Sequence, residues 1–215
     1  MTLALGHPNT RGDAVTDDEQ AFAALSRRAC PPVGEALFAI TAAWRPVNWQ
    51  ELDGRLDQLA RLLFGAGPGG RERAGALAEL LIERFRPDPV LVDGLWLDRV
   101  LDSGRGHPVM LAAVATEAAR RAGWSAMVCS GRQAWFAGIV ASASGDEASG
   151  RGSGVLWLVD PTGEASGSSA PKTVRRHCAH ELAFIVLTGL AERFAGPRDR
   201  EQAQRLREQL DVFTP

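Results

Sequence analysis

The sequence predicts an α+β fold in which one buried helix packs against a small antiparallel sheet, with further helices before and after this core. Two observations favour this fold. The segment Val109–Ala122 is apolar on most of its surface, so it is expected to form a central, largely buried helix. The apolar segments that follow it are short and rich in residues that favour strands, and they are Ala126–Cys129, Ala134–Val140 and Val155–Val159.

The composition is ordinary for a globular protein and limits the classes of partner. The 215 residues are 45% apolar and 23% charged, and this length suffices for one well-buried domain or for a core domain with a small additional helical part. The net charge of −2 gives no reason to expect nucleic acid or a membrane surface as a partner. No apolar run reaches the ~20 residues that span a bilayer. Met1–Asp18 lacks the pattern of a signal peptide.

The three cysteines, Cys30, Cys129 and Cys178, are too few and too scattered for a disulfide framework. We therefore expect a reduced, cytoplasmic protein that needs no cofactor. Nothing in the sequence sets the oligomeric state.

The N-terminal part is predicted to be helical after a flexible start at residues 1–20. Residues 21–94 form a helical subdomain in this prediction. Its first helix carries Ala36, Leu37, Ile40 and Ala43 on a buried face and ends before Pro46. A second helix has inward leucines and ends at the glycine-rich segment 65–70, and a third spans about residues 72–85. The glycine-rich segment lacks the Gly-Lys-Ser/Thr ending of a phosphate loop, so a plain linker is favoured.

Residues 95–165 are predicted to form the αβ core, and residues 173–215 the helices that pack on it. Gly123 caps the central helix, and a flexible hairpin loop, 141–153, joins the second and third strands. The last of the three strands ends at Asp160-Pro161. Beyond it we expect a helix over Val174–Phe194 and a short final helix with Asp199 as its N-cap.

Four motifs in this core resemble those of the SirB-type transglutaminase-like family. They are Leu97–Leu101, Arg105–Leu111, Ala118–Gly123 and Leu158–Gly163, which resemble that family's patterns L-x-x-V-L, R-x-G-x-P-I-x-L, A-R-R-L-G and I-D-P-F-G. The resemblance covers about residues 34–215. It implies a transglutaminase-like (papain-like) core, in which a cysteine at the helix N-terminus faces a histidine and an aspartate on two strands.

The resemblance also implies where those catalytic groups should stand, and two of the three are missing. The helix N-terminus reads His107-Pro108-Val109, and Pro108 offers no nucleophile. SirB-type proteins usually have proline in this region too. Arg132 or Gln133 stands where the family has its histidine, and neither side chain is a general base near neutral pH. Asp160 remains, and we interpret it as a cap for the turn that follows.

Substitutes for the missing groups are conceivable but less favoured than structural roles. Cys129 could act with His107 as its base, although a small buried residue in a strand is the more common case. The cluster His177-Cys178-Ala179-His180 has metal-binding residue types, but no second ligand set accompanies it, so we interpret it as a helix start and predict no metal site.

The sequence therefore predicts a pseudoenzyme that binds a peptide or small polar ligand, or a protein, without processing it. The candidate cleft consists of His107, Pro108, Cys129, Arg132, Gln133, Trp135 and Asp160. One alternative is an atypical hydrolase or acyltransferase with a relocated nucleophile, involving Cys129 or His107. Another is an interaction protein whose terminal helices present an apolar face.

Overall fold

The computed structural model describes residues 24, 27–29, 31–132, 134–142, 154–163, 173–194, 201, 203–205, 208 and 209. The helices are α1 (Val33–Ala42), α2 (Trp49–Leu63), α3 (Gly70–Arg84), α4 (Leu97–Ser103), α5 (Pro108–Arg121) and α6 (Ala179–Arg193), with a 3₁₀ turn at Val92–Leu95. The strands are β1 (Arg86–Pro87), β2 (Arg105–Gly106), β3 (Ser125–Ser130), β4 (Trp135–Ser142), β5 (Gly154–Val159) and β6 (Arg175–His177).

Among the described residues, the main sheet has four strands in the order β5-β4-β3-β6, and all of these pairings are antiparallel. In register, Ser130 lies opposite Trp135 on β4 and opposite Arg175 on β6. The strands β1 and β2 form a separate parallel pair. The prediction of mixed helices with a small antiparallel sheet is confirmed.

Helix α5 is the centre of the fold. Every residue from Val109 to Ala119 is buried, and the helix packs against α2, β3 and β4. The sheet face toward it carries Ala126 and Val128 of β3, which belong to the same hydrophobic core. A helix buried around most of its circumference cannot be amphipathic in the usual sense, and this explains the apolar sequence of Val109–Ala119.

Two contacts fix the N-terminal helices against this centre. The Glu117 carboxylate of α5 accepts the Gly34 N–H at the start of α1 and pairs with Arg121. At the start of α3, a Cβ on Gly70 would lie 2.3 Å from the Trp157 indole nitrogen, so only glycine allows α3 to approach the sheet this closely.

Two predicted element boundaries were wrong. The helix predicted over Val174–Phe194 begins at Ala179 and not at Val174, because Cys178 and Glu181 form a capping box that fixes its start. The residues before it pair with β3 as β6. Strand β4 extends through Ser142, two residues into the predicted loop.

The remainder of the predicted loop, the predicted flexible start at residues 1–20 and the N-cap of the predicted final helix lie outside the described residues. In the part of the chain that the structure describes, no helix combines the length and apolar character needed to cross a bilayer.

Candidate functional site

The N-terminus of α5 is the place where the transglutaminase-like chemistry would need its nucleophile. His107 is the N-cap, and its Nδ1 accepts the Val109 N–H at 3.3 Å. Pro108, at the first helical position, has no N–H. The N–H groups of Met110 and Leu111 donate to the His107 carbonyl at 2.9 and 3.1 Å. The backbone donors that could stabilise an anion at this helix end are therefore already engaged.

The His107 ring lies beside a cavity between this helix end and α6. Burial lowers the pKa of His107, and the charge of Arg193 lowers it further, so the ring is neutral near pH 7. The cavity has a volume of about 400 Å³. Its lining combines apolar side chains with a few polar ones, and consists of Leu95, His107, Val109, Phe184, Ile185, Thr188, Gly189, Glu192 and Arg193. We call it the α5–α6 cavity.

Cys129 lies on the opposite face of the sheet from Val128, its neighbour in β3. It is fully buried, and its sulfur is 3.0 Å from the position that a Cβ on Gly138 would occupy. Burial raises the pKa of the Cys129 thiol, and the charge of Arg176 opposes this only in part. A buried thiol of raised pKa is a poor source of thiolate.

Two further residues of the predicted cleft, Arg132 and Trp135, lie at or near the start of β4, the end of that strand that lies beside the last residues of β5. Arg132 is exposed in the turn between β3 and β4, and Gln133 lies outside the described residues. Trp135, at the start of β4, lies opposite Ser130 and therefore on the other face of the sheet from Cys129. The predicted cleft residues do not all share one surface.

Asp160 follows the last residue of β5 and organises the turn there. Its Oδ1 accepts hydrogen bonds from the Thr162 N–H and hydroxyl, both at 2.8 Å. The Gly163 N–H donates to the Asp160 carbonyl at 3.2 Å, and Gly163 has a φ of 73°. These bonds are those of an aspartate that caps a turn.

A group that the sequence analysis did not identify lies where β3, β6 and α6 meet. The Ser130 Oγ is 2.7 Å from the His177 Nε2. On the other side of the ring, the His177 Nδ1 is 3.5 Å from the Glu181 Oε2. The Trp135 ring packs against the imidazole with centroids 5.1 Å apart. The three side chains are thus ordered as hydroxyl, imidazole and carboxylate.

The surroundings of His177 favour the neutral form of its ring, and a carboxylate lies nearby. Burial lowers the pKa of His177, Glu181 opposes this, and Arg175 adds to it. The hydrogen bond from Arg175 is the main reason that the pKa of Glu181 is lowered, so Glu181 is ionised. The side chain of His177 is only 5% exposed, and its Nδ1 has no hydrogen bond among the described residues. A proton on Nδ1 would face Glu181, which leaves Nε2 free to accept the Ser130 proton.

Sequence reasoning missed this group because Ser130 and His177 are 47 positions apart and meet only through the pairing of β3 with β6. A strand of three residues has too little periodicity to be recognised. One signal was present: Cys178 and Glu181 have capping-box spacing, which would have moved the helix start beyond His177. The side chain of Cys178, exposed at this N-cap, accepts the Glu181 N–H.

A larger cavity, of about 580 Å³, lies between α2 and α4. None of the residues predicted for the cleft lines it. Its lining includes Arg55, Arg61 and Arg84, and of these Arg55 is paired with Glu51 and Asp102. We therefore consider the α5–α6 cavity, which includes His107, the more relevant of the two.

Comparison with known proteins gives one match. A family model described as the transglutaminase-like superfamily matches residues 49–180. This range begins at α2 and ends in the first turn of α6, so it contains the whole sheet and the N-terminus of α5. Comparisons with curated proteins and with solved structures give no match.

Proposed function

This chain belongs to the transglutaminase-like superfamily, and from that premise we propose that it is a SirB-type binding module and, with respect to cysteine-dependent acyl transfer, a pseudoenzyme. The proposal includes a papain-like arrangement of the core and a cytoplasmic location. The second of these rests on the three scattered cysteines of the sequence.

The observation that carries the proposal is that the N-terminus of α5 has a proline at its first position and engaged backbone N–H groups. A cysteine enzyme of this superfamily needs a thiolate there, stabilised by free backbone N–H groups and the helix dipole. Here the first helical position is Pro108, and the Val109 N–H is taken up by the His107 ring. Neither Cys129, buried in the sheet, nor Cys178, at the start of α6, lies at this helix end.

The α5–α6 cavity is the binding site that the geometry supports. Its volume of about 400 Å³ is in the range that holds a small molecule or a few side chains of a peptide. Phe184 is 43% exposed at this cavity, which is a large apolar contact left open to a ligand. Glu192 and Arg193 supply charges of both signs. We therefore expect a peptide or a small polar ligand with an apolar portion.

Acyl transfer is tested with purified protein and a glutamine-containing peptide, measuring ammonia release with and without an added amine. We expect no release above that of buffer. Ammonia release that is lost in Asp160→Ala or Cys129→Ala would overturn the proposal, because it would show that the cysteine-type machinery operates.

Binding is tested by a thermal-shift screen of peptides and metabolites, since a ligand of the folded state raises the unfolding temperature. For any compound that stabilises the protein, Thr188→Trp should abolish the shift because the indole fills the α5–α6 cavity. Gln58→Trp is the matched control, because Gln58 lines the larger cavity. Equal loss in both variants, or no loss in either, would exclude the α5–α6 cavity as the site.

The alternative is a hydrolase or acyltransferase with a relocated nucleophile. The burial of Cys129 and the capping role of His107 weigh against the two residues first considered for it. One observation nevertheless favours a nucleophile at another position, namely the hydrogen-bonding distance between the Ser130 hydroxyl and the His177 ring.

A further inference from the structure

We propose that Ser130, His177 and Glu181 form a hydroxyl-nucleophile site that cleaves acyl esters beside the α5–α6 cavity. This inference goes beyond the proposed function, which concerns the absence of cysteine chemistry and the binding of a ligand. Ser130 and His177 are the catalytic residues, because they would exchange the proton and form the covalent bond. Glu181 is a positioning residue.

The geometry of the pair meets the first requirement for nucleophile activation, a hydrogen bond between nucleophile and base. The Ser130 Oγ and the His177 Nε2 are 2.7 Å apart. Ser130 is half-buried, at the last position of β3, so its hydroxyl is placed at a strand end and not in the middle of the sheet. The pairing of β3 with β6 brings the two side chains together. Ser130 lies opposite Arg175, so His177, two residues further along β6, lies on the same face of the sheet as Ser130.

The carboxylate is held in place by contacts on both of its oxygens. Glu181 Oε1 accepts a hydrogen bond from Arg175, and Oε2 accepts the Cys178 N–H at 3.2 Å. The same Oε2 is 3.5 Å from the His177 Nδ1, longer than a hydrogen bond but within the looser distances found when no substrate is bound. The carboxylate therefore favours the tautomer that has its proton on Nδ1.

The site and the cavity share one face of α6. Glu181 is four residues before Ile185, and Ile185 and Thr188 line the cavity. Residues four apart lie on the same side of a helix, separated by about 6 Å along its axis. A molecule in the α5–α6 cavity would thus reach toward His177 and Ser130 along α6, so the cavity would hold the acyl or alcohol portion of the ester.

The reaction needs no cofactor and balances with water alone. The Ser130 Oγ attacks the ester carbonyl while its proton passes to the His177 Nε2. The bond from the carbonyl carbon to the alcohol oxygen breaks, and that oxygen takes the proton from Nε2. Water then attacks the acyl-serine and gives a proton to Nε2. The bond to Ser130 breaks, Ser130 regains its proton, and a carboxylic acid is released.

The test is to treat the native protein with a fluorophosphonate probe, which reacts with activated serine hydroxyls, and to map the modified peptide by mass spectrometry. We expect the label on Ser130 and turnover of a p-nitrophenyl ester. Turnover should fall on the order of 10³-fold in Ser130→Ala and in His177→Gln, and labelling of Ser130 should fall by a similar factor in His177→Gln. Ser125→Ala is the matched control at the other end of β3 and should behave as wild type.

Absence of label on Ser130 in the wild-type protein would overturn the inference, whether or not the variants fold. Label on Ser130 at the wild-type rate in a folded His177→Gln variant would overturn it too, because the hydroxyl would not depend on the imidazole. Neither result affects ligand binding in the α5–α6 cavity, which the thermal-shift screen measures separately.

Glu181→Gln distinguishes a positioning role from a merely structural one. Glutamine can still accept the Cys178 N–H, so the helix start is preserved. The groups that face His177 are Glu181 from α6, Arg175 from its own strand, Ser130 from β3 and Trp135 from β4. Loss of the Glu181 charge should lower the pH of half-maximal ester turnover and reduce kcat more than it raises KM. An unchanged pH profile would contradict the role of Glu181.

Discussion

The ion-pair network around Arg121 gives a stability prediction that can be worked from the structure. The Arg121 guanidinium contacts Glu117 of its own helix at 3.1 Å and Asp53 and Asp57 of α2 at 2.7 Å each. Burial alone would lower the pKa of Arg121, but its hydrogen bonds to these three carboxylates raise it. The network therefore ties α2 to the central helix, and Arg121→Met removes the cation that the three carboxylates share.

The expected cost is dominated by one of the three carboxylates. The side chains of Asp53 and Asp57 are 39% and 45% exposed, so each of these pairs contributes about 0–1 kcal/mol. The Glu117 side chain is 11% exposed, and leaving a nearly buried carboxylate without its cation costs about 2–3 kcal/mol after allowance for the remaining solvent contact. We therefore expect Arg121→Met to lower the free energy of unfolding by about 2–5 kcal/mol.

The assay is urea unfolding followed by tryptophan fluorescence and circular dichroism, with the single variants and a double variant. Glu117→Gln in the Arg121→Met background should recover about 1 kcal/mol or more, because the unpaired charge is then gone. Arg55→Met is the control, since Arg55 is paired with side chains that are 56% and 47% exposed. This substitution should lower the free energy of unfolding by at most about 1 kcal/mol. Equal costs for Arg55→Met and Arg121→Met, or additive costs in the double variant, would refute the reasoning.

Three other perturbations follow from local geometry. Gly104→Ala should lower the free energy of unfolding by at least ~2 kcal/mol in the same assay, because φ is 66° and the new Cβ would lie 2.5 Å from a backbone carbonyl oxygen. The control is Gly123→Ala, at φ 81° with open space around it, which should lower the free energy of unfolding by less. Gly70→Ala should lower the free energy of unfolding because its Cβ would meet the Trp157 indole. The same substitution should cost less in a Trp157→Leu background. A Gly70→Ala variant as stable as the wild type would show that α3 does not pack this tightly against the sheet. Because the pKa of His107 is lower in the folded protein than its ordinary 6.5, the unfolded chain takes up the proton first, and stability is lost as the pH falls below about 6.5 and through the folded value. His107→Asn keeps an N-cap acceptor and should remove this part of the acid sensitivity, which melting temperatures at pH 7.5 and 5.5 would measure; an unchanged pH dependence would contradict it.

Much of the fold could be predicted from the sequence, because its main elements are periodic and bounded by strong signals. The central helix was predicted within one residue at each end, since Pro108 starts it and Gly123 follows it. The three strands that follow it were also placed correctly to within two residues. Helix α4 contains the motif Leu97–Leu101 but is too short for its periodicity to predict a helix, and the two-residue strands β1 and β2 have no periodicity to detect.

The candidate site was harder to predict because it depends on contacts between distant segments. Alternation along β3 places Ser130 and Cys129 on opposite faces of the sheet, but only the pairing with β6 shows which of them meets a histidine. The interpretation of Asp160 as a turn cap agrees with its bonds to Thr162. The cleft as a set, including Arg132 and Trp135, stays a prediction.

We propose that the αβ core, in the part of the chain that the structure describes, offers no accessible thiol for acyl transfer. The most direct measurement is alkylation of the native protein with iodoacetamide at pH 7, mapped by mass spectrometry over time. Cys178 is exposed and serves as the internal reference, whereas Cys129 is buried and its pKa is raised. We expect Cys178 to be modified promptly and Cys129 only after unfolding in urea. Modification of Cys129 in the folded protein at a rate equal to or above that of Cys178 would contradict it.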